Sequence, residues 1–158
     1  MTATSNFRRR YLDARRLSAI TGLALLTGAA GCGPSAAAAT PGKAPASTAI
    51  TLTNFKVSGV PETFPAGKLT ATVTNRGVGE HELLVFKSDL DPAQYPVDAT
   101  GRVIEADPRI TKVSDAENIK AGASQQRSID LSAPGKYVFF CNLPSHFKAG
   151  MYRVVTVQ

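Results

Sequence analysis

The chain has little of the chemistry that most functional classes require. It holds two histidines, His81 and His146, two cysteines, Cys32 and Cys141, and two methionines, Met1 and Met151. With Cys32 set aside in the N-terminal segment, three Cys and His residues remain, one too few for a closed structural zinc site. No Gly-rich phosphate-cradling loop leads into a helix. No carboxylates are paired for acid–base work, and Glu80, Glu82, Asp89 and Asp91 read as solvated strand and turn positions. No apolar run reaches the roughly 20 residues that a membrane-spanning helix needs. A basic stripe is missing too, despite a formal net charge of +6. Arg8, Arg9, Arg10, Arg15 and Arg16 supply five of the eighteen basic residues, and Asp13 one of the twelve acidic ones, which leaves 13 against 11 from Cys32 onward. Without a basic face interleaved with aromatics, no nucleic-acid partner is expected.

The arginines have another use. They precede fifteen uncharged residues, Leu17 to Gly31, rich in Ala, Leu, Gly and Thr. A basic start, a short apolar run and small residues read as an export signal. Gly28-Ala29-Ala30-Gly31-Cys32 resembles a bacterial lipobox, with Ala29 where Leu is commonest, so lipidation of Cys32 and attachment to a membrane are expected. The arginine pairs also resemble a twin-arginine signal without its full consensus. Residues 33–48 contain only small residues, prolines and one lysine. Such a segment buries too little apolar surface to fold, and it reads as a disordered linker between an export segment at 1–32 and a domain at 49–158.

Within that domain the patterning is that of strands. Ile50 to Val57, Leu69 to Asn75, His81 to Phe86, Gln126 to Leu131, Lys136 to Phe140 and Tyr152 to Val157 are short β-rich stretches separated by turn residues. Six or seven such strands with little helical periodicity predict an all-β, antiparallel Greek-key sandwich. Ser88 to Gln126, punctuated by Pro92, Pro96, Gly101 and Pro108, reads as one long strand-free insertion, with a short helix or hairpin as the structure it could hold.

Chemistry concentrates in Cys141-Asn142-Leu143-Pro144-Ser145-His146-Phe147-Lys148-Ala149-Gly150-Met151, which offers a thiolate, an imidazole and a thioether within eleven residues. A strand ends at Cys141 and another begins after Met151, so the three gather at one end of a sheet. This donor set suits copper, and His81 is the only other imidazole in the chain. An exported chain with two cysteines ordinarily forms a disulfide. If Cys32 is lipidated, Cys141 has no intramolecular partner, and metal ligation gives it a role. A Cys141–His146 nucleophilic pair would need an orienting group and an oxyanion hole, and Asn142 points at no such assembly. A dinuclear copper centre would need a second cysteine in this loop.

Tyr137 to Met151 resembles the copper-binding loop of the cupredoxins, the small blue copper proteins. Its spacing, C-x4-H-x4-M, is similar to the rusticyanin and sulfocyanin branches rather than to plastocyanin, whose Cys-to-His interval is shorter. Val73-Thr74-Asn75-Arg76-Gly77 followed by Glu80-His81-Glu82-Leu83 is similar to the family segment that carries the first histidine ligand. The resemblance covers about Ile50 to Gln158. It implies one type 1 copper with His81, Cys141 and His146 as equatorial ligands and Met151 as the weak axial one. It also implies a monomeric electron carrier, not an enzyme, serving redox partner proteins such as a cytochrome, oxidase or reductase outside the cytoplasm. A module for copper delivery or sequestration is the alternative. An apolar rim of Leu143, Pro144, Phe147 and Ala149 is expected around His146. Many members have Asn or Ser after the first histidine; here that residue is Glu82, so the hydrogen bond to the thiolate must come from elsewhere, for instance a backbone amide.

Overall fold

A computed structural model describes residues 46–115 and 117–158. The export segment, Cys32 and the linker up to residue 45 lie outside the described residues. The strands in chain order are β1 (Ala46–Thr53), β2 (Lys56–Ser58), β3 (Thr63–Phe64), β4 (Gly67–Asn75), β5 (Leu84–Lys87), β6 (Thr111–Ser114), β7 (Ser124–Leu131), β8 (Gly135–Phe140) and β9 (Tyr152–Val157). They form two sheets, ordered β2-β1-β4-β7 and β3-β9-β8-β5-β6. β1 starts at Ala46, so residues 46–48, expected as linker, are already paired, from Ala46↔Leu69 to Thr48↔Ala71.

The sandwich is all-β, as its alternating strands predict, but its sheets are mixed rather than wholly antiparallel. β1 runs parallel to β4, and β3 parallel to β9. The cause is the path of the chain. After β2 it crosses to the edge of the other sheet as β3 and returns as β4, entering beside β1 from the same end. The alternating residues Ile50, Leu52, Leu69, Val73, Ile129 and Leu131 bury one face of the first sheet against Val85, Tyr137, Phe139, Val155 and Val157 of the second.

Two local expectations change. Ile50 to Val57 is not one strand: it is a hairpin turning at Asn54–Phe55, with Thr53 opposite Lys56 and Phe55 at φ 59°. The insertion is not strand-free. Besides the short helix and hairpin it could hold, seen as a 3-10 turn at Pro92–Gln94 and an isolated bridge between Val97 and Val103, it contains β6, which pairs with β5 at the sheet edge. Its Tyr95, Val103 and Ile110 cover the outer face of β8 and β5, meeting Leu84, Phe86, Val138 and Phe140 in a second core. Burial on both faces explains why Tyr137-Val138-Phe139-Phe140 is a continuous apolar run.

Candidate metal centre

Four segments converge at one end of the sandwich. β4 ends at Asn75, whose fully buried side chain organises the loop beyond it. Its Nδ2 donates to the carbonyls of Gly79 and Ile119, both at 2.7 Å, and its Oδ1 accepts from the Gly77 amide at 2.8 Å. That loop delivers His81, which is bridged through its backbone to Ile119 in both directions, at 3.1 and 2.7 Å. β8 delivers Cys141, whose amide donates to the Met151 carbonyl at 3.1 Å, and the Met151 amide donates to the His146 carbonyl at 3.0 Å. The ligand loop is thus tied back on itself. Ser145, just before His146, sits at φ 67°. A left-handed non-glycine residue costs about 1–3 kcal/mol, which surrounding contacts must offset.

The donor atoms of His81, Cys141 and His146 all lie within 4.8 Å of one another. Cys141 Sγ is 3.3 Å from His146 Nδ1 and 3.9 Å from His81 Nδ1, and the two Nδ1 atoms are 3.3 Å apart. Donors spaced trigonally around a first-row metal at ordinary N and S bond lengths stand about 3.5–3.8 Å apart, so this triangle fits an ion. Both imidazoles present Nδ1 to the thiol, and His81 Nε2 is buried with no hydrogen-bond partner. Met151, whose side chain is fully buried, and Cys141 are both part of the main core.

Burial sets the electrostatics. It pushes the Cys141 thiol up, opposed by the amides of Glu82 and Leu143. The Glu82 amide lies 3.5 Å from Sγ, so a backbone N–H of the residue after His81 faces the thiol. Burial also pushes the Glu82 carboxyl up, with Arg102 opposing. His81 lies below its ordinary 6.5 through burial and then through the neighbouring His146, and His146 lies below 6.5 through burial alone. The unfolded chain therefore takes up protons on these rings at a higher pH than the folded one. The stability of the metal-free protein falls as pH drops from 6.5 toward the lowered folded values. Glu82, raised above 4.5, contributes the opposite slope, losing stability as pH rises through its folded value. Thermal melts of metal-free Glu82→Gln against pH isolate the histidines. We expect the melting temperature to fall on acidification below about pH 6.5, and a flat profile there would contradict the assignment.

Three neighbours of the cluster escape sequence reasoning. Phe55, 50% exposed, sets its ring edge-on against His146 at 5.3 Å between centroids. Its signal was the turn-forming Asn54 before it. Asn142 is buried and bonded to the insertion. Phe147, expected at the exposed rim, is only 4% exposed and stacks on Tyr95 at 5.4 Å. Leu143, expected at the rim, stays beside His146, joined there by Phe55 and Val78, and these line an open groove of about 470 Å³ with Asn54, Gly79, Glu80 and His81.

The fold has counterparts among solved structures. An auracyanin from the photosynthetic bacterium Roseiflexus castenholzii, in its dithionite-reduced form, aligns with a TM-score of 0.55 and 26% identity, covering 73% of this chain and 99% of its own. Auracyanin B aligns at 0.52 and 22% identity over 73% of this chain and 91% of its own. Auracyanin A, a blue copper protein from Chloroflexus aurantiacus, aligns at 0.50 and 15% identity over 72% and 99%, and these last two likenesses are of fold alone. No curated protein matches the chain in sequence. Residues 61–158, which contain all four candidate ligands, match the copper-binding proteins of the plastocyanin/azurin family, and the chain belongs to that family.

Proposed function

We propose that this protein carries single electrons between redox partners outside the cytoplasm, on one type 1 copper held by His81, Cys141, His146 and Met151. The observation that carries the reading is the convergence of two Nδ1 atoms and one thiol at a single buried point in a copper-binding fold. Copper bound there supplies a Cu(II)/Cu(I) couple, and a His2Cys set with a weak thioether suits both states. The chain does the rest. Cys141, whose thiol burial favours, would hold copper as the thiolate and lose its proton in doing so, and the Glu82 and Leu143 amides favour that thiolate. Sheet ends and loop hydrogen bonds hold the donors in place, so little rearrangement accompanies a change of charge. His146, half-buried beside Phe55 and Leu143, is the exit for the electron. The groove beside it, with Phe55, Val78 and Leu143 on its walls and Glu80 among its polar residues, fits the small, transient interface of a redox encounter.

Attachment through a lipid on Cys32 and export by the N-terminal signal complete the proposal, supported by the sequence of residues 1–32. The test is to load the protein with Cu(II), record its visible spectrum and cycle it with a reductant and an oxidant. An intense thiolate-to-copper band that bleaches and returns, with copper retained against a chelator in both states, is the expected result. Copper lost to the chelator on reduction would favour delivery or sequestration, and no colour at all would retire both the site and the function.

The place of Met151 in the ligand set has its own test. Leu for Met is close to volume-conserving and costs less than about 1.5 kcal/mol in a core, so Met151→Leu should fold. It removes the weak thioether donor and keeps the pocket dry, which disfavours Cu(II). The blue colour should persist and the reduction potential should rise; an unchanged potential would remove Met151 from the ligand set.

A further inference from the structure

Asp98 to Arg102 form a self-stapled turn closing the Val97–Val103 bridge. Asp98 Oδ1 accepts from the amides of Thr100 and Arg102 at 2.8 and 3.1 Å, and the Asp98 amide donates to the Arg102 carbonyl at 2.8 Å. This small hairpin lies against the ligand loop and is bonded to it at the positions next to the ligands. Asn142, following Cys141, completes a peptide-like pair with Val103: its Oδ1 accepts from the Val103 amide at 2.6 Å and its Nδ2 donates to the Val103 carbonyl at 3.1 Å. The same Nδ2 donates to Glu105 Oε1 at 3.0 Å, and Glu105 is itself paired with Lys112 at 2.6 Å. Ser145, preceding His146 in its left-handed conformation, donates its amide to the Thr100 carbonyl at 2.9 Å. Gly101, at φ +81°, passes so close that a Cβ there would stand 3.3 Å from Ser145 Cα and 2.9 Å from Lys148 Cδ.

We propose that the Val97–Val103 hairpin is a positioning clamp for the copper loop, with Asn142 as its principal latch. The inference rests on the copper reading above. Asn142 fixes the direction in which β8 presents Cys141, and the Thr100–Ser145 bond holds the unfavourable backbone that turns His146 toward it. Neither residue touches the metal. An insertion of this length thereby acquires a function, since without it the ligand loop has one free flank and a left-handed serine unsupported.

The test uses the whole protein in metal-free and copper-loaded forms. In Asn142→Ala, with far-UV circular dichroism like the parent, the metal-free amides of Ser145 and His146 should exchange at least about tenfold faster, as loss of a buried hydrogen bond implies. Copper affinity should fall by about 10–100-fold, the usual effect of removing an outer partner of a ligand, and the charge-transfer band should shift. Parent-like values in either the exchange or the copper readouts overturn the proposal. Should Asn142→Ala fail to fold, Glu105 decides, because it is partly exposed and tolerant of change. Glu105→Gln keeps an acceptor for Asn142 Nδ2 and Glu105→Ala does not, while both remove the charge. A faster exchange and shifted band in Glu105→Ala but not in Glu105→Gln supports the latch; identical behaviour overturns it. A parent protein that takes up copper without an intense band defeats the electron-transfer reading, whereas the metal-free exchange rates still judge the clamp.

Discussion

Gly77→Ala should weaken copper binding by about 10–100-fold or more although residue 77 donates nothing to the metal. A Cβ at this position would stand 2.5 Å from His81 Nε2, 2.9 Å from His81 Cδ2 and 2.7 Å from Asn54 Oδ1. No unbonded carbon sits that close, so either the imidazole or the loop must move. The ring has little freedom, because the His81 backbone is bridged to Ile119 and Asn75 holds the loop from inside. Displacing Nδ1 by even part of an ångström opens the triangle with Cys141 and His146. Overpacking of this kind costs about 1–3 kcal/mol in stability. The accompanying loss of copper affinity should be about 10–100-fold or more. Gly79→Ala is the control, since its Cβ would meet nothing within 4 Å. Competition with a chromogenic chelator reads both. Equal affinity in Gly77→Ala and the parent would show that His81 is not held where the geometry requires.

The second large effect is at Cys141. Cys141→Ser replaces a thiolate with a hydroxyl that does not ionise near neutral pH. The intense visible band should vanish, and the reversible one-electron couple with it. The residue is fully buried, but His146 Nδ1 and the Glu82 amide lie near where Sγ stood and offer the serine hydroxyl hydrogen-bond partners. That leaves the metal-free fold testable by circular dichroism. A mutant that folds and stays blue would remove Cys141 from the site and would leave the chain without a thiolate in its described residues.

How far the sequence reveals all this follows from how local each feature is. Cys141, His146 and Met151 lie in one loop, so their spacing is visible on inspection, whereas His81 is 60 residues away and is placed only by strand packing. Strands with one buried face betray themselves by alternation, as in Leu69, Ala71 and Val73. Even the turn at Asn54–Phe55 leaves a trace. The apolar phase runs through Ile50 and Leu52 and then slips to Phe55 and Val57. Reading the stretch as one strand overlooks that slip. The parallel pairings and the Val103–Asn142 bond are different. They join positions far apart in the chain, such as 103 and 142, and no local pattern encodes them. Phe147 illustrates the same limit. In sequence it is an apolar residue beside a candidate ligand, and only the insertion folding back over β8 makes it core.

The parallel pairing of β1 with β4 has a directional consequence. β1 starts at Ala46 opposite Leu69 and runs to the hairpin whose Phe55 touches His146. At about 3.3 Å per residue, the eight steps from Ala46 to Asn54 span about 26 Å. The polypeptide therefore enters the sandwich at the pole remote from the histidines. The face that carries Phe55 and His146 lies at the opposite end of β1 from that entry point, so the path of the chain into the fold leaves it uncovered.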